Sequence, residues 1–322
     1  MAGTAFALAA LVLYAATTLL TRLATDSADS DLGLLLVMVV TAVCAGGLLL
    51  LQAATGRSPG AFPPIAVLTF CAAGVFSAFL GRWLLFEAVV RLGAARASAF
   101  QTSSPVFTAL FGWAILADRP SAGALAAMIL TLGGLALVAD QPARGPRTVA
   151  GALASSLPRA SEAHPDGPPW STRRLLVLGL SSAASYALGN ICRAYGVRLW
   201  NEPLWGVFLG AATGLGLHLL MSARQSPSKL IRRLLDANRH GMRLFLVVGV
   251  SGLAAQICTI VAMRNLPVAE VAAIMTGTPL LVYPVSYLFM RRSEALTAYS
   301  AAGLALALGG IGFLVVRPLI AG

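Results

Sequence analysis

Long apolar runs separated by short polar clusters make up almost the whole chain. Cutting at charges and at Pro/Gly clusters leaves ten segments: Thr4 to Leu23, Leu32 to Gln52, Pro64 to Val90, Ala94 to Ala117, Ala122 to Ala139, Leu175 to Val197, Leu204 to Met221, Leu244 to Met263, Val268 to Met290 and Thr297 to Val316. Each approaches or exceeds the about 20 residues that a helix needs to cross a hydrocarbon core. They are continuous apolar stretches and lack the alternation of membrane-barrel strands, so helix is predicted throughout. The predicted fold class is an all-α membrane protein with ten transmembrane helices.

Two connections are longer than the rest. Residues 140–174 carry six prolines with Ser, Gly and mixed charge, a composition that cannot bury enough apolar area to order itself and reads as a linker. It divides the chain into a first five-helix unit, 1–139, and a second, 175–322. The connection from Arg224 to Arg243 is basic and reads as a solvated loop that helps to fix topology; a short helix on an anionic leaflet is the other reading.

The two units are related. Laying Ala88 to Pro105 on Ala262 to Pro279 without a gap makes Ala88, Leu92, Ala95, Ala99, Thr102 and Pro105 recur as Ala262, Leu266, Ala269, Ala273, Thr276 and Pro279. Spacings of three and four keep these positions near one face of a helix. Paired glycines, Gly133-Gly134 and Gly309-Gly310, extend the match. An odd number of crossings per unit makes the second copy enter from the opposite side, so the repeats are expected to be inverted, an architecture that places a binding site near the midplane between them.

Composition agrees with this outline. The chain has 322 residues, 58% hydrophobic and only 11% charged, with a mean hydropathy of +0.81, against roughly 25% charged residues in soluble domains. A soluble enzyme or nucleic-acid-binding domain has no room here, and no nucleic-acid partner is expected despite a net charge of +11. The basic residues follow the loops instead. Connections 1-2, 3-4, 5-6, 7-8 and 9-10 hold 16 Lys/Arg, while the other side holds five, Arg57, Arg119, Arg198, Arg264 and Arg317. The positive-inside rule then places both termini outside. The first run begins at Ala5 without a basic leader and reads as a retained helix. Cys44, Cys71, Cys192 and Cys258 lie singly inside apolar runs and read as reduced core residues.

The segment AVVRLGAARASAFQTSSPVFTALFGWAILADRPSAGALAAMILTLGGLALV resembles the signature half of the EamA-like family of drug/metabolite transporters. It has a short loop after the third helix, a Ser/Thr-rich approach to Pro105, an acidic residue thirteen positions later, Asp118, and Gly134 late in the fifth helix. The second half repeats Pro279, Gly303 and Gly310, with Arg292 at the thirteenth position and Glu294 two further on. The resemblance implies a ten-helix transporter that exports metabolites such as amino acids, drugs or sugars, and it implies cytoplasmic termini, against the charge count. Small multidrug relatives use a carboxylate in the first helix; this helix has none before Asp26, so the resemblance does not extend to proton-coupled export of cationic drugs.

An ionisable group inside a span costs about 2.5 to 3.5 kcal/mol on insertion scales and marks a candidate site. Arg82 lies roughly 6 Å beyond the centre of the third segment by helical rise, and the repeat register lays it on Gln256. An Arg fork suits carboxylate or phosphate oxygens; a structural bridge to Glu87 or the cap of a broken helix is the competing reading. Tyr14 and Tyr186 mark the centres of the first helix of each unit, with Asn190 one turn beyond Tyr186. Gln101, Thr102, Ser103 and Ser104 precede Pro105, Thr276 and Thr278 precede Pro279, and Tyr283 precedes Pro284. Each proline frees a backbone carbonyl and kinks its helix, which makes Pro105, Pro279 and Pro284 candidate hinges. The substrate-binding set is therefore Tyr14, Arg82, Gln101, Thr102, Tyr186, Asn190, Gln256, Thr276 and Tyr283. Arg22, Arg193 and Arg264 are near segment ends and are expected to snorkel.

Enzyme chemistry has no foothold: the histidines His164, His218 and His240 form no paired motif, and neither G-x-S-x-G nor a phosphate-binding G-x-x-x-x-G-K-S/T is present. No catalytic residue, metal or cofactor is expected. The function read from these features, with the resemblance, is secondary transport, as an exporter, of small polar or anionic metabolites such as amino acids by alternating access. A flippase for a lipid-linked substrate on the same fold is the alternative, and an intramembrane enzyme or assembly factor a third reading. The expected partners are a small-molecule substrate and the lipid bilayer of the inner or plasma membrane, with the protein a monomer or homodimer.

Overall fold

A computed structural model describes residues 2–25, 30–56, 60–92, 100–101, 103–118, 122–139, 172–223, 239–278, 280–282, 302–303, 305–306 and 308–313. The elements are α1 (Ala2–Thr25), α2 (Ser30–Ala54), α3 (Pro64–Ala73), a π-helical segment π1 (Gly74–Leu80), α4 (Gly81–Leu92), α5 (Ser104–Leu116), α6 (Ala122–Ala139), α7 (Thr172–Leu199), α8 (Pro203–Ala223), α9 (Arg239–Asn265) and α10 (Val268–Met275). No strand occurs among the described residues. Six helical stretches are long and apolar enough to cross a bilayer: Ala2–Thr21, Leu32–Ala54, Pro64–Leu85, Arg173–Leu199, Pro203–Met221 and His240–Asn265. Three shorter apolar helices, Ser104–Leu116, Leu125–Gly134 and Val268–Val282, occupy the places of the fourth, fifth and ninth predicted segments, and residues 308–313 are helical within the tenth. Leu50, Leu68, Ile129 and Val43 are each more than half exposed, as befits side chains that face lipid.

The third segment, predicted as one helix, is a rod of three parts, α3, π1 and α4. In π1 the backbone widens, and the Gly81 N–H reaches the Phe76 carbonyl five residues back. Such widening leaves carbonyls short of a partner. Hydroxyls of α7 add donors on either side of this junction: Ser185 donates to the Phe76 carbonyl at 2.8 Å and Ser182 to the Gly81 carbonyl at 3.1 Å.

Glycines let this rod sit deep between α7 and α8. On α8, Gly206, Gly210 and Gly214 recur every fourth residue and meet Phe70, Gly74 and Ala78 of the rod in the same order, so the two helices run parallel through a small-residue seam. A side chain on Gly74 would run into the Gly210 carbonyl oxygen. On α7, an added Cβ on Gly189 would come within 2.6 Å of the Ser77 Cβ, and one on Gly196 within 2.8 Å of the Phe70 ring.

The larger packings come in related sets. Helix α1 lies along α9 as α7 lies along α3 and α4; α2 packs on α9 as α8 packs on π1; α1 meets α10 as α7 meets α5; and the pairs α2 with α8 and α5 with α10 are in contact. Residues 309–310 approach α6, with Gly310 against Thr131 and Ala127. Pro105 departs from expectation. It stands in the first turn of α5, after Ser103, where a proline loses no helical hydrogen bond, and residues 100–101 just before it are also helical. Pro279 and Pro284 lie outside the described residues.

The seam yields a prediction. Gly74→Ala should destabilise the protein by about 1 to 3 kcal/mol, as overpacking does, whereas Gly216→Ala, with nothing within 4 Å of the added carbon, should be neutral or gain up to about 1 kcal/mol of helix propensity. Thermal unfolding midpoints of the two variants in detergent decide this, and equal midpoints would contradict the seam.

Candidate functional site

The site grows from the π segment. It delivers Ser77 and Arg82 to the side of the rod that α7 covers. Arg193 of α7 donates from Nη2 to the Ser77 hydroxyl at 2.6 Å and from Nη1 to the Asn190 carbonyl oxygen at 3.2 Å. Its guanidinium is therefore turned inward along its own helix, and the expectation that Arg193 snorkels to the membrane surface is corrected. The physical reason is local: a side chain on a helix points back toward the N-terminus, which for α7 means toward mid-depth, and two neutral acceptors wait there.

Around Arg193, within electrostatic reach, stand Tyr14 of α1, Tyr186 and Cys192 of α7, and Arg82 of α4. The Tyr14 hydroxyl meets that of Thr259 on α9. The Tyr186 ring packs on Gly81, close enough that a Cβ there would fall 3.1 Å from it. Arg82 lies one residue beyond, partly buried, and its Nη1 is shielded from solvent without a hydrogen-bond partner among the described residues. His218 of α8 is also within reach of Arg82. Four predicted residues, Tyr14, Arg82, Tyr186 and Asn190, thus converge on one region between α1, α4, α7 and α9. Gln256 is partly buried on α9, one turn before Thr259.

Other predicted residues serve the framework. The Gln101 amide donates to the Ser182 hydroxyl, which in turn holds the Gly81 carbonyl; this relay braces the start of α4 next to Arg82. Thr276 turns its hydroxyl onto the Ala273 carbonyl at 2.6 Å, and Thr278 onto Met275 at 2.7 Å, closing the end of their own helix. Thr102 and Tyr283 lie outside the described residues. Among the described residues no group of His, Cys, Asp or Glu is arranged to hold a metal ion, and the four cysteines are free.

At the end of the bundle where α1 begins, beside Asn265 and Leu266, lies a second polar feature. Asp118, just past α5, accepts both Arg198 guanidinium nitrogens at 2.7 and 2.8 Å, and its Oδ2 also accepts the Val268 N–H at 3.2 Å. One carboxylate thus joins the end of α5, the end of α7 and the start of α10, where its charge complements the helix N-terminus. Arg264 bonds Asn201 at 2.7 Å on the same end, as its place near a segment end led one to expect. Phe62, Trp200 and Trp205 stack beside it with centroids 5.0 to 5.8 Å apart, in the manner of an interfacial aromatic girdle.

A bundle of long apolar helices with polar and cationic side chains between them is the build of a multi-pass membrane protein. Residues 1–139 match the sequence profile of the EamA-like transporter family. Residues 1–139 are therefore an EamA-like unit, of a family within the drug/metabolite transporter superfamily, as the resemblance implied. The fold is similar to that of a solved crystal structure with 16% identity, a TM-score of 0.66 and 98% of each chain covered. No curated protein matches the sequence.

Arg193 is the residue that sequence reading passed over. Its signal was present in the spacing: Tyr186, Asn190 and Arg193 follow at intervals of four and three on one helical face. For Asp118, the removal of its charge tests the joint. Asp118→Ala should cost about 1 to 3 kcal/mol, since Arg198 and the Val268 N–H both lose their acceptor. Asp118→Asn should cost less, because the amide oxygen still accepts from the backbone. Unfolding midpoints for the two variants give the order, and parity of Asp118→Ala with the parent would rule the joint out as a structural clamp.

Proposed function

We propose that this protein is a secondary transporter, working as an exporter, that moves small polar or anionic metabolites such as amino acids across the inner or plasma membrane by alternating access. It does so as two inverted five-helix repeats, 1–139 and 175–322, joined by the linker 140–174. The reciprocal packings support the inversion: exchanging α1 with α7, α2 with α8, the α3–π1–α4 rod with α9, and α5 with α10 carries the major contacts into one another. Thr17 and Ser251, whose hydroxyls are 3.1 Å apart, correspond in this exchange to Gly189 and Ser77, which are also in contact.

The observation that carries the reading is the buried Arg82 Nη1 without a hydrogen-bond partner among the described residues. A desolvated guanidinium donor left unmatched is costly, and a solute oxygen is the partner it lacks. Substrate enters between the halves, is gripped by Arg82 beside Tyr14, Tyr186, Asn190 and Gln256, and leaves when the packing of α1 on α9 and of α7 on the rod exchange their open and closed arrangements. No nucleotide hydrolysis enters this cycle; a solute or ion gradient drives it.

Removing the Arg82 contact should cost roughly ten- to a hundredfold in solute affinity, the equivalent of about 1.5 to 3 kcal/mol for a hydrogen bond to a charged group. Arg82→Lys should restore little of it, since an ammonium lacks the planar fork, and Gln256→Ala should be milder. Counterflow and binding at matched membrane expression measure all three. If Arg82→Ala inserts normally and binds as the parent does, the site is misplaced.

Orientation follows from charge. The end carrying Gly3, Asn265 and the Asp118–Arg198 joint is the poorly basic one, so both termini are proposed to lie outside. An alkaline-phosphatase fusion after Gly322 should be active, and a cytoplasmic readout would reverse the assignment.

A further inference from the structure

Arg193 and Arg82 lie within electrostatic reach of each other, and among the described residues no carboxylate lies within such reach of Arg193. The groups within electrostatic reach of Arg193 are two tyrosines, a cysteine and Arg82, so the neighbours are either neutral at physiological pH or of the same sign. Its two hydrogen-bond partners, Ser77 and Asn190, are neutral as well. They orient the fork without cancelling its charge, and a guanidinium has five N–H donors to place. Arg82 adds a desolvated donor, Nη1, without a hydrogen-bond partner among the described residues. Elsewhere the fold treats an inter-helix arginine differently: Arg198 has the Asp118 carboxylate.

The charge is also unequally shared between the halves. The register that lays Arg82 on Gln256 gives one cation a neutral mate, and the register that lays Tyr14 on Tyr186 lays Thr21 on Arg193. Both cations therefore belong to the α4–α7 contact, while the equivalent α1–α9 contact offers hydroxyls, those of Tyr14, Thr17, Ser251 and Thr259. Two like charges in a low-dielectric interior repel, and a ligand that neutralises only one leaves the other uncompensated.

We propose that Arg82 and Arg193 together form a binding site for a solute head carrying two negative charges, a phosphate monoester or a dicarboxylate, with the neutral remainder of the solute facing the hydroxyls of α1 and α9. Arg193 is the fixed half of this clamp, held by Ser77 and Asn190, and Arg82 supplies the free donor. The proposal names a substrate class for the transport reading above and rests on that reading for the identity of the site.

The test begins with the unmodified full chain, purified in detergent and titrated calorimetrically with glycerol 3-phosphate, succinate and alanine. At least one dianion should bind tenfold or more tightly than alanine. Binding of the phosphate ester should strengthen as pH rises through its second ionisation, near about 6. Arg193→Gln and Arg82→Gln, verified as folded by their unfolding midpoints, should each weaken dianion binding at least tenfold and bring the dianion-to-alanine ratio close to one. Asn190→Ala, which keeps both charges and loosens one, should weaken dianion binding by a smaller factor. If neither dianion exceeds alanine in the parent, or if Arg193→Gln keeps the preference, the proposal fails, while exchange of alanine in liposomes would leave the transport reading standing. If the dianion preference and its loss in the variants are found but no solute exchanges in liposomes, the paired site stands and the transport reading falls.

Discussion

In a bilayer core there is no water to satisfy an N–H, a hydroxyl or a guanidinium, so each polar group of this chain must find its partner within the protein. The backbone does so in helices. The hydroxyls of Thr41, Ser77, Thr108, Thr131 and Thr259 fold back onto the carbonyl four residues earlier at 2.7 to 2.9 Å. Where the ladder widens at π1, serines of the neighbouring helix add donors. Among the described residues, two buried side-chain atoms remain without a hydrogen-bond partner, the Thr4 hydroxyl near the start of α1 and Nη1 of Arg82 on α4.

The same region is where the two halves touch most closely. Glycines on α7 and α8 draw the α3–π1–α4 rod in until backbone meets backbone, which is how helices without a hydrophobic drive toward one another gain packing energy in lipid. The Phe70 ring lies in the same seam, seated against Gly196 and Gly206.

Symmetry in packing and asymmetry in charge coexist here. Exchanging the two sets of helices maps their larger packings onto one another. The cations Arg82 and Arg193 lie at the contact of α4 with α7, while the contact of α1 with α9 carries the hydroxyls of Tyr14, Thr17, Ser251 and Thr259. At the end of the bundle near Gly3 and Asn265, Asp118 ties α5, α7 and α10 together through one carboxylate, which gives a structural meaning to the acidic position of the family signature.

Hydropathy and spacing alone determined that the chain is helical and apolar enough to lie in a membrane, and that Tyr186 and Asn190 share a helical face, because burial in lipid is set by composition and a helix brings residues three and four apart onto one face. They did not determine what each polar group does. Gln101 bonds Ser182, Thr276 bonds Ala273, Pro105 stands in the first turn of α5, and Arg193, which looked like a surface residue, turns inward to Ser77. Those outcomes depend on which neighbour lies across a helix interface, on a π turn that shifts the phase of the rod by a fraction of a turn, and on glycine seams that set how near the neighbour comes. Such contacts join residues far apart in the chain, so only the tertiary structure could decide them.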